Sequence, residues 1–257
     1  MAPPRSVARR DRELAARAAP LRAALVAWSR AWLARQRPMI TARGYEATKA
    51  RGDVSDLARL LRLFGLVRAT DAAGEEIGGL IRGDRAPALA EAGRLVAGAT
   101  RWVDLATEIE GTMRARLADA VGSIITDAAA RGQTVGDVTR RLATEIRAAP
   151  RTPEDDDERA ILSWSRAETI ARTEMGRAEN QGRLAAYEAT GVEELEWIAY
   201  SDGRSGDRHH ERLDGVRIRR GETWRTPLGN RLRLPGDPSG PVEDTANCRC
   251  TMRPVRR

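Results

Sequence analysis

The chain has 257 residues, 32% of them charged and 41% hydrophobic, enough for one large domain or two smaller ones around a buried core. No apolar run approaches the ~18 residues of a membrane span, the N-terminus has no signal-like apolar core, and the two cysteines, both near the end, exclude a disulfide scaffold. The net charge of +7 comes from 43 Arg and the single Lys49 against 37 acidic residues.

That charge is uneven. Residues 1–50 carry a net +8, 51–150 are neutral, 151–200 carry −6 and 201–257 carry +5. Abundant Arg beside abundant Ala reflects a GC-rich genome as much as a function. The basic ends are therefore either a solvated arginine surface or a contact for a phosphate backbone. In the second case Arg9, Arg10, Arg12 and Arg17 would act with Arg253, Arg256 and Arg257.

Residues 1–10, with Pro3, Pro4 and three Arg, are expected to be a disordered basic arm. From Asp11 to about Gln36, Leu14, Leu21, Leu25, Trp28 and Trp32 recur at helical spacing and define one apolar face, for the core or for a partner. Pro20 is expected to kink this helix or restart it, and Pro38 to stop it. Residues 45–98 suggest short helices interrupted by Gly65, Gly74 and Gly78-Gly79, with a face of Leu57, Leu60, Leu61 and Phe64. A longer helix follows from Ala99 to about Arg131, marked by Trp102, Leu105, Ile109, Met113, Leu117 and Val121 and stopped at Gly132. Thr134 followed by Asp137 forms a capping-box variant that opens a helix to about Ala148. Residues 149–158 are a candidate linker, and Thr152-Pro153 with its acidic run suits a helix start. That helix should run to Thr190, with Gly191 as its C-terminal cap. Beyond it, Leu195–Tyr200, Val216–Ile218 and Arg231–Leu234 alternate with Gly, Pro and Asp and suggest short strands. The fold class is α+β: a mainly α-helical N-terminal domain, and a smaller C-terminal domain with one long helix and a short irregular β-sheet. The expected boundaries are 1–10, 11–149 for a partner-docking helical domain, and 150–257.

Three elements of the last third can carry chemistry. The first is Ala171-Arg-Thr-Glu174 with Asn180 and Arg183, whose polar groups beside Ile170, Met175 and Leu184 suit either a half-buried network or an ordinary charged helix face. The second runs from Asp202 to Gly215 and holds both histidines of the chain, His209 and His210. The third is Asn247-Cys248-Arg249-Cys250, where an extended backbone points both thiols to one side. His209, His210, Cys248 and Cys250 make up a four-ligand zinc set, although the spacing is not that of a standard zinc finger. A Cys–His hydrolase arrangement needs the same residues. So do plain structural roles, with Cys in the core and His tying a loop.

These elements, in this order, resemble the Mu F-like phage head morphogenesis family, the minor capsid proteins of tailed phages. The resemblance runs from about Ser165 to Pro254. It rests on Ala171–Glu174 with Asn180, Asp202–Ser205, His210–Gly215, Pro235–Pro238 and Asn247–Cys250, with Trp197 just before the Asp202 loop. It implies a low-copy virion protein, made in the host cytoplasm and lying inside the head near the portal. The portal protein is the implied partner, with scaffold, major capsid protein and double-stranded DNA as further candidates and no membrane. The expected C-terminal cluster comprises Arg172, Glu174, Asn180, Asp202, Arg204, His210, Asp214 and Asn247 with the two cysteines, and holds a loop-rich domain in shape. The rival readings are a metal- or Cys/His-dependent hydrolase or nuclease, and a plain DNA-binding protein.

Overall fold

A computed structural model describes residues 7–41, 43–45, 54–80, 86–97, 101–147, 160–200 and 208–255. Among them are seven α-helices and small antiparallel sheets, an α+β architecture dominated by helix. No helix among the described residues is long and apolar enough to cross a membrane. The chain forms two compact units, each from separated stretches: Leu21–Leu61 with Thr100–Glu168, and Met1–Pro20 with Arg62–Ala99 and Thr169–Arg257.

Helix α1 (Val7–Gln36) begins inside the arm expected to be disordered, because Ala8, Arg9 and Arg10 are good helix formers. Residues 1–6 lie outside the described residues. Pro20 is carried within α1, and Pro38 ends it in a 3-10 turn, Arg37–Met39. In the first unit Leu21, Leu25, Trp28 and Trp32 are all buried, so the Trp28/Trp32 face belongs to the core and is not a free docking surface. The Trp32 indole N–H donates to Glu110 at 3.0 Å, and Arg114 donates to the same carboxylate at 2.6 Å. A hairpin of β1 (Ile40–Thr41) and β2 (Gly44–Tyr45) brings the Tyr45 hydroxyl to the buried Gln36 side chain at 2.8 Å. Helix α4 (Arg101–Ala130) buries Trp102, Ile109, Met113, Leu117 and Val121, the face its spacing predicted. Gly132, at φ +63°, closes it. Thr134 then caps α5 (Val135–Glu145): its hydroxyl accepts from the Asp137 amide, and the Asp137 carboxylate accepts from the Thr134 amide. The candidate linker 149–158, with Thr152-Pro153, lies outside the described residues.

Helix α2 (Val54–Leu80) is a single helix where several short ones were expected. It runs through Gly65, Gly74 and the Gly78-Gly79 pair, because buried Leu57, Leu61, Ala69, Ala72 and Ala73 hold it against its neighbours. A helix can carry glycines at about 1 kcal/mol each where packing supports it. In the second unit, α3 (Ala86–Ala97) meets α2 at small residues, with Gly74 beside Leu89 and Gly93 beside Leu66. Helix α6 (Trp164–Ala189) starts about ten residues later than predicted, where the Ser163 hydroxyl accepts from the Arg166 amide. At Gly182 a Cβ would collide with the Ala69 backbone carbonyl, so only glycine permits α6 to approach α2 this closely. Gly191, at φ +69°, ends α6 as expected, with the Val192 amide donating back to Tyr187.

The strands follow. Strand β3 (Glu194–Ile198) pairs antiparallel with β4 (Arg217–Arg219) on one side and β7 (Thr251–Pro254) on the other. Strands β5 (Trp224–Arg225) and β6 (Arg231–Leu232) form a separate hairpin. Tyr187, Leu195, Trp197, Trp224, Leu232 and Met252 fill the core around these strands. The three predicted strands thus have counterparts in β3, β4 and β6, whereas β5 and β7 were not foreseen.

Candidate functional site

The site lies in the second unit, where a 3-10 turn (His210–Leu213), the short helix α7 (Val242–Thr245) and the entry to β7 converge. His209 sits in the left-handed region at φ +49°, which turns the chain so that the two histidines part. His210 is 3% exposed; His209 is exposed and meets Glu211 at 3.1 Å. Nδ1 of His210 lies 3.7 Å from Cys248 Sγ and 3.9 Å from Cys250 Sγ. Both thiols are free, Cys250 buried and Cys248 half-buried. On the far side of the ring, Nε2 lies 3.0 Å from Asp244 Oδ1. The other oxygen of Asp244 accepts from Thr226 at 2.8 Å and Asn230 at 2.7 Å. Trp197 packs edge-on against His210 with ring centroids 5.5 Å apart, and Trp224 packs on Trp197.

The electrostatics follow from these contacts. Burial raises the Asp244 pKa, but the hydrogen bonds from Asn230, Thr226 and His210 outweigh it and leave the carboxyl below its ordinary value. Burial disfavours protonated His210, yet Cys248 and Asp244 on its two edges outweigh that and raise its pKa. Cys248 is drawn well down by a hydrogen bond from Cys250 and by the adjacent imidazole. Cys250 is pushed well up by its hydrogen bond to Cys248, by burial and by the charge of Cys248.

A second network ties the other motif residues together. Asn180 of α6 donates to the carbonyls of Pro235 at 2.9 Å and Cys250 at 3.1 Å, and accepts from the Thr251 hydroxyl at 3.0 Å. Glu174, buried, holds Arg177 at 2.6 Å, and Arg177 donates to Thr245 at 2.8 Å, one residue from Asp244. Asn247 adopts φ +53°, a conformation Asn tolerates, and its amide donates to Thr173 at 2.7 Å. Arg172 lies half-buried on α6. Asp214 serves a different place: its exposed carboxylate accepts from the Ala199 amide at 2.9 Å and closes the turn after β3. Asp202 and Arg204 lie outside the described residues.

Of the basic residues proposed for phosphate contact, Arg17 is tied to buried Glu179 at 3.0 Å and Arg253 is paired with Glu196. Arg12 is exposed. The side chains of Arg9 and Arg10, and all of Arg256 and Arg257, lie outside the described residues.

Sequence reasoning missed Asp244, which orients His210 from 34 residues away, and Thr226 and Asn230, which hold Asp244. Nothing local distinguishes Asp244 from its exposed neighbour Glu243. It also gave Asp237 no role beyond its place in Pro235–Pro238. Asp237 is fully buried and accepts from the Arg233 amide and guanidinium and from the Ser239 amide and hydroxyl, at 2.7–3.2 Å. Gly236 makes this turn at φ +71°. Burial raises the Asp237 pKa, but the Arg233 and Ser239 bonds prevail and hold it below its ordinary value of 3.8. A depressed folded-state pKa contributes stability that is present above the unfolded value and is lost as pH falls through the folded one. The wild type is therefore expected to lose its melting-temperature advantage over Asp237→Asn as pH drops below about 4. Thermal melts of both proteins between neutral pH and pH 3 check this. A gap that stays constant across that range would contradict the assigned role.

The Phage Mu protein F like family matches residues 119–253. No curated protein and no solved structure matches the chain. The match begins in the second half of α4, well before the Ser165 start of the recognisable motifs, and ends on β7. It covers more than half of the sequence and takes in His210, Asp244 and the two cysteines with every contact that positions them, so the chain belongs to the Mu F-like family of phage head morphogenesis proteins.

Proposed function

We propose that this protein is a minor structural component of a tailed-phage head, docked on the portal inside the procapsid and carried into the virion. The observation that supports this reading is the family match over residues 119–253. In this reading the polar networks around Asn180 and Asp244 serve architecture. They fix loops that the short strands cannot hold alone, because buried polar groups specify a fold when each is satisfied. The helical part, residues 11–149, supplies the surface that meets the portal, with scaffold and major capsid protein as further contacts. Packaged DNA is a second partner, reached through Arg12 and the arginines of the two termini.

The reading predicts that this chain, co-expressed with the portal protein of its own genome, co-purifies with it through affinity and size-exclusion steps. Portal that purifies alone, beside folded and soluble copies of this chain, would overturn it. DNA contact through arginine predicts an affinity that falls steeply with salt, because counterions released from phosphates drive it.

One observation favours a hydrolytic alternative: Cys248, His210 and Asp244 stand in the order nucleophile, base, orienting carboxylate. Against it, the second thiol addresses the same ring nitrogen from nearly the same distance. A nucleophile–base pair has no use for that.

A further inference from the structure

We infer that His210, Cys248 and Cys250 form a zinc site, binding the ion through Nδ1 and two thiolates. The argument is geometric first. The three donor atoms lie within 4.8 Å of one another, with Nδ1 at 3.7 and 3.9 Å from the two sulfurs. Tetrahedral zinc, with nitrogen at about 2.0 Å and sulfur at about 2.3 Å, places its ligands roughly 3.5 Å (N···S) and roughly 3.8 Å (S···S) apart. The two N···S distances need only a few tenths of an ångström of contraction to close around an ion, and the sulfurs already lie within 4.8 Å of each other.

The surroundings prepare the ligands. Asp244 has its second oxygen saturated by Thr226 and Asn230, which leaves Oδ1 for the Nε2–H of His210. That bond fixes the tautomer whose lone pair sits on Nδ1, facing the sulfurs. A carboxylate behind a ligating imidazole is the usual support of a zinc histidine. Thr173 holds Asn247 and Asn180 holds the Cys250 carbonyl, so both ends of the Cys248–Cys250 segment are anchored on α6. Trp197 walls the His210 ring on one side with apolar surface, backed by Trp224. Two thiolates and an imidazole favour zinc over the hard cations magnesium and calcium. Among the described residues these three atoms make up the donor set.

The test uses the full chain. Protein expressed in zinc-supplemented medium and freed of loose metal by gel filtration should contain one zinc per chain by elemental analysis. Chelator-stripped protein, titrated with Co²⁺, should develop thiolate-to-metal charge-transfer absorption that zinc then abolishes. This second readout is made on the wild type and needs no variant to fold. Cys248→Ser, Cys250→Ser and His210→Ala should each lose the stoichiometric zinc. Asp244→Asn should weaken binding by about 10–100-fold, the usual loss for a supporting partner. His209→Ala should retain a full equivalent. Wild-type protein with neither zinc nor a thiolate–cobalt band overturns the inference, and so does zinc that survives in the Cys248→Ser/Cys250→Ser double variant.

Discussion

Replacing Asn180 with alanine is expected to lower the unfolding free energy by about 3–5 kcal/mol, at about 1–3 kcal/mol for each buried group stranded, less what the sites recover by relaxing. Its one side chain serves three partners: the Pro235 and Cys250 carbonyls through Nδ2, and the Thr251 hydroxyl through Oδ1. Asn180 is 4% exposed, so water does not readily replace it. The bonds join α6 to the Pro235 turn and to the entry of β7, where the Tyr187 hydroxyl adds a longer bond of 3.4 Å to the Met252 carbonyl. Asn180→Asp separates shape from chemistry. It keeps the volume but turns a donor into an anion aimed at two carbonyl oxygens, and it should be at least as destabilising as alanine. Urea unfolding followed through the fluorescence of the tryptophans measures both. An Asn180→Asp variant as stable as wild type would show that these three bonds do not hold the domain.

Glu179→Ala is expected to cost a similar amount, about 3–5 kcal/mol, the range for breaking a buried charge network. Glu179 is 1% exposed and is met by Arg183 at 2.8 Å, Arg17 at 3.0 Å and Arg68 at 3.5 Å. The three guanidiniums are themselves largely covered. Deleting the carboxylate leaves like charges facing one another in a low-dielectric setting. Glu75 and Glu76, which also touch this cluster, compensate only in part. Glu179→Gln keeps hydrogen-bond acceptance without the charge and should fall between alanine and wild type. Thermal melts at low and high salt complete the test: a network this well covered should keep most of its effect in high salt, whereas surface pairs lose theirs.

What could be read from the residues alone was what is local. The α4 face was visible because Trp102, Ile109, Met113, Leu117 and Val121 keep a helical spacing along one side. Thr134 and Gly191 were visible because caps need particular side chains and backbone angles at fixed offsets. The glycines of α2 misled, since their helical cost is set against packing by Leu57 and Leu61 that periodicity cannot weigh. The Trp28 and Trp32 face stayed ambiguous for a similar reason: an apolar stripe reads alike whether the chain itself or a partner covers it. In the site, His210 and the cysteines stood out as scarce residue types. Asp244, Thr226 and Asn230 did not, because each is a common polar residue whose partner is distant in sequence. Arg17 was counted among surface cations because nothing near it in sequence announces Glu179.

The most direct test of a portal-docked head protein is its copy number in purified procapsids, measured by quantitative mass spectrometry on particles assembled with and without the portal. The account predicts a small, fixed number of copies in portal-containing procapsids and none in portal-less ones. Procapsids that contain the portal and lack this chain would contradict it.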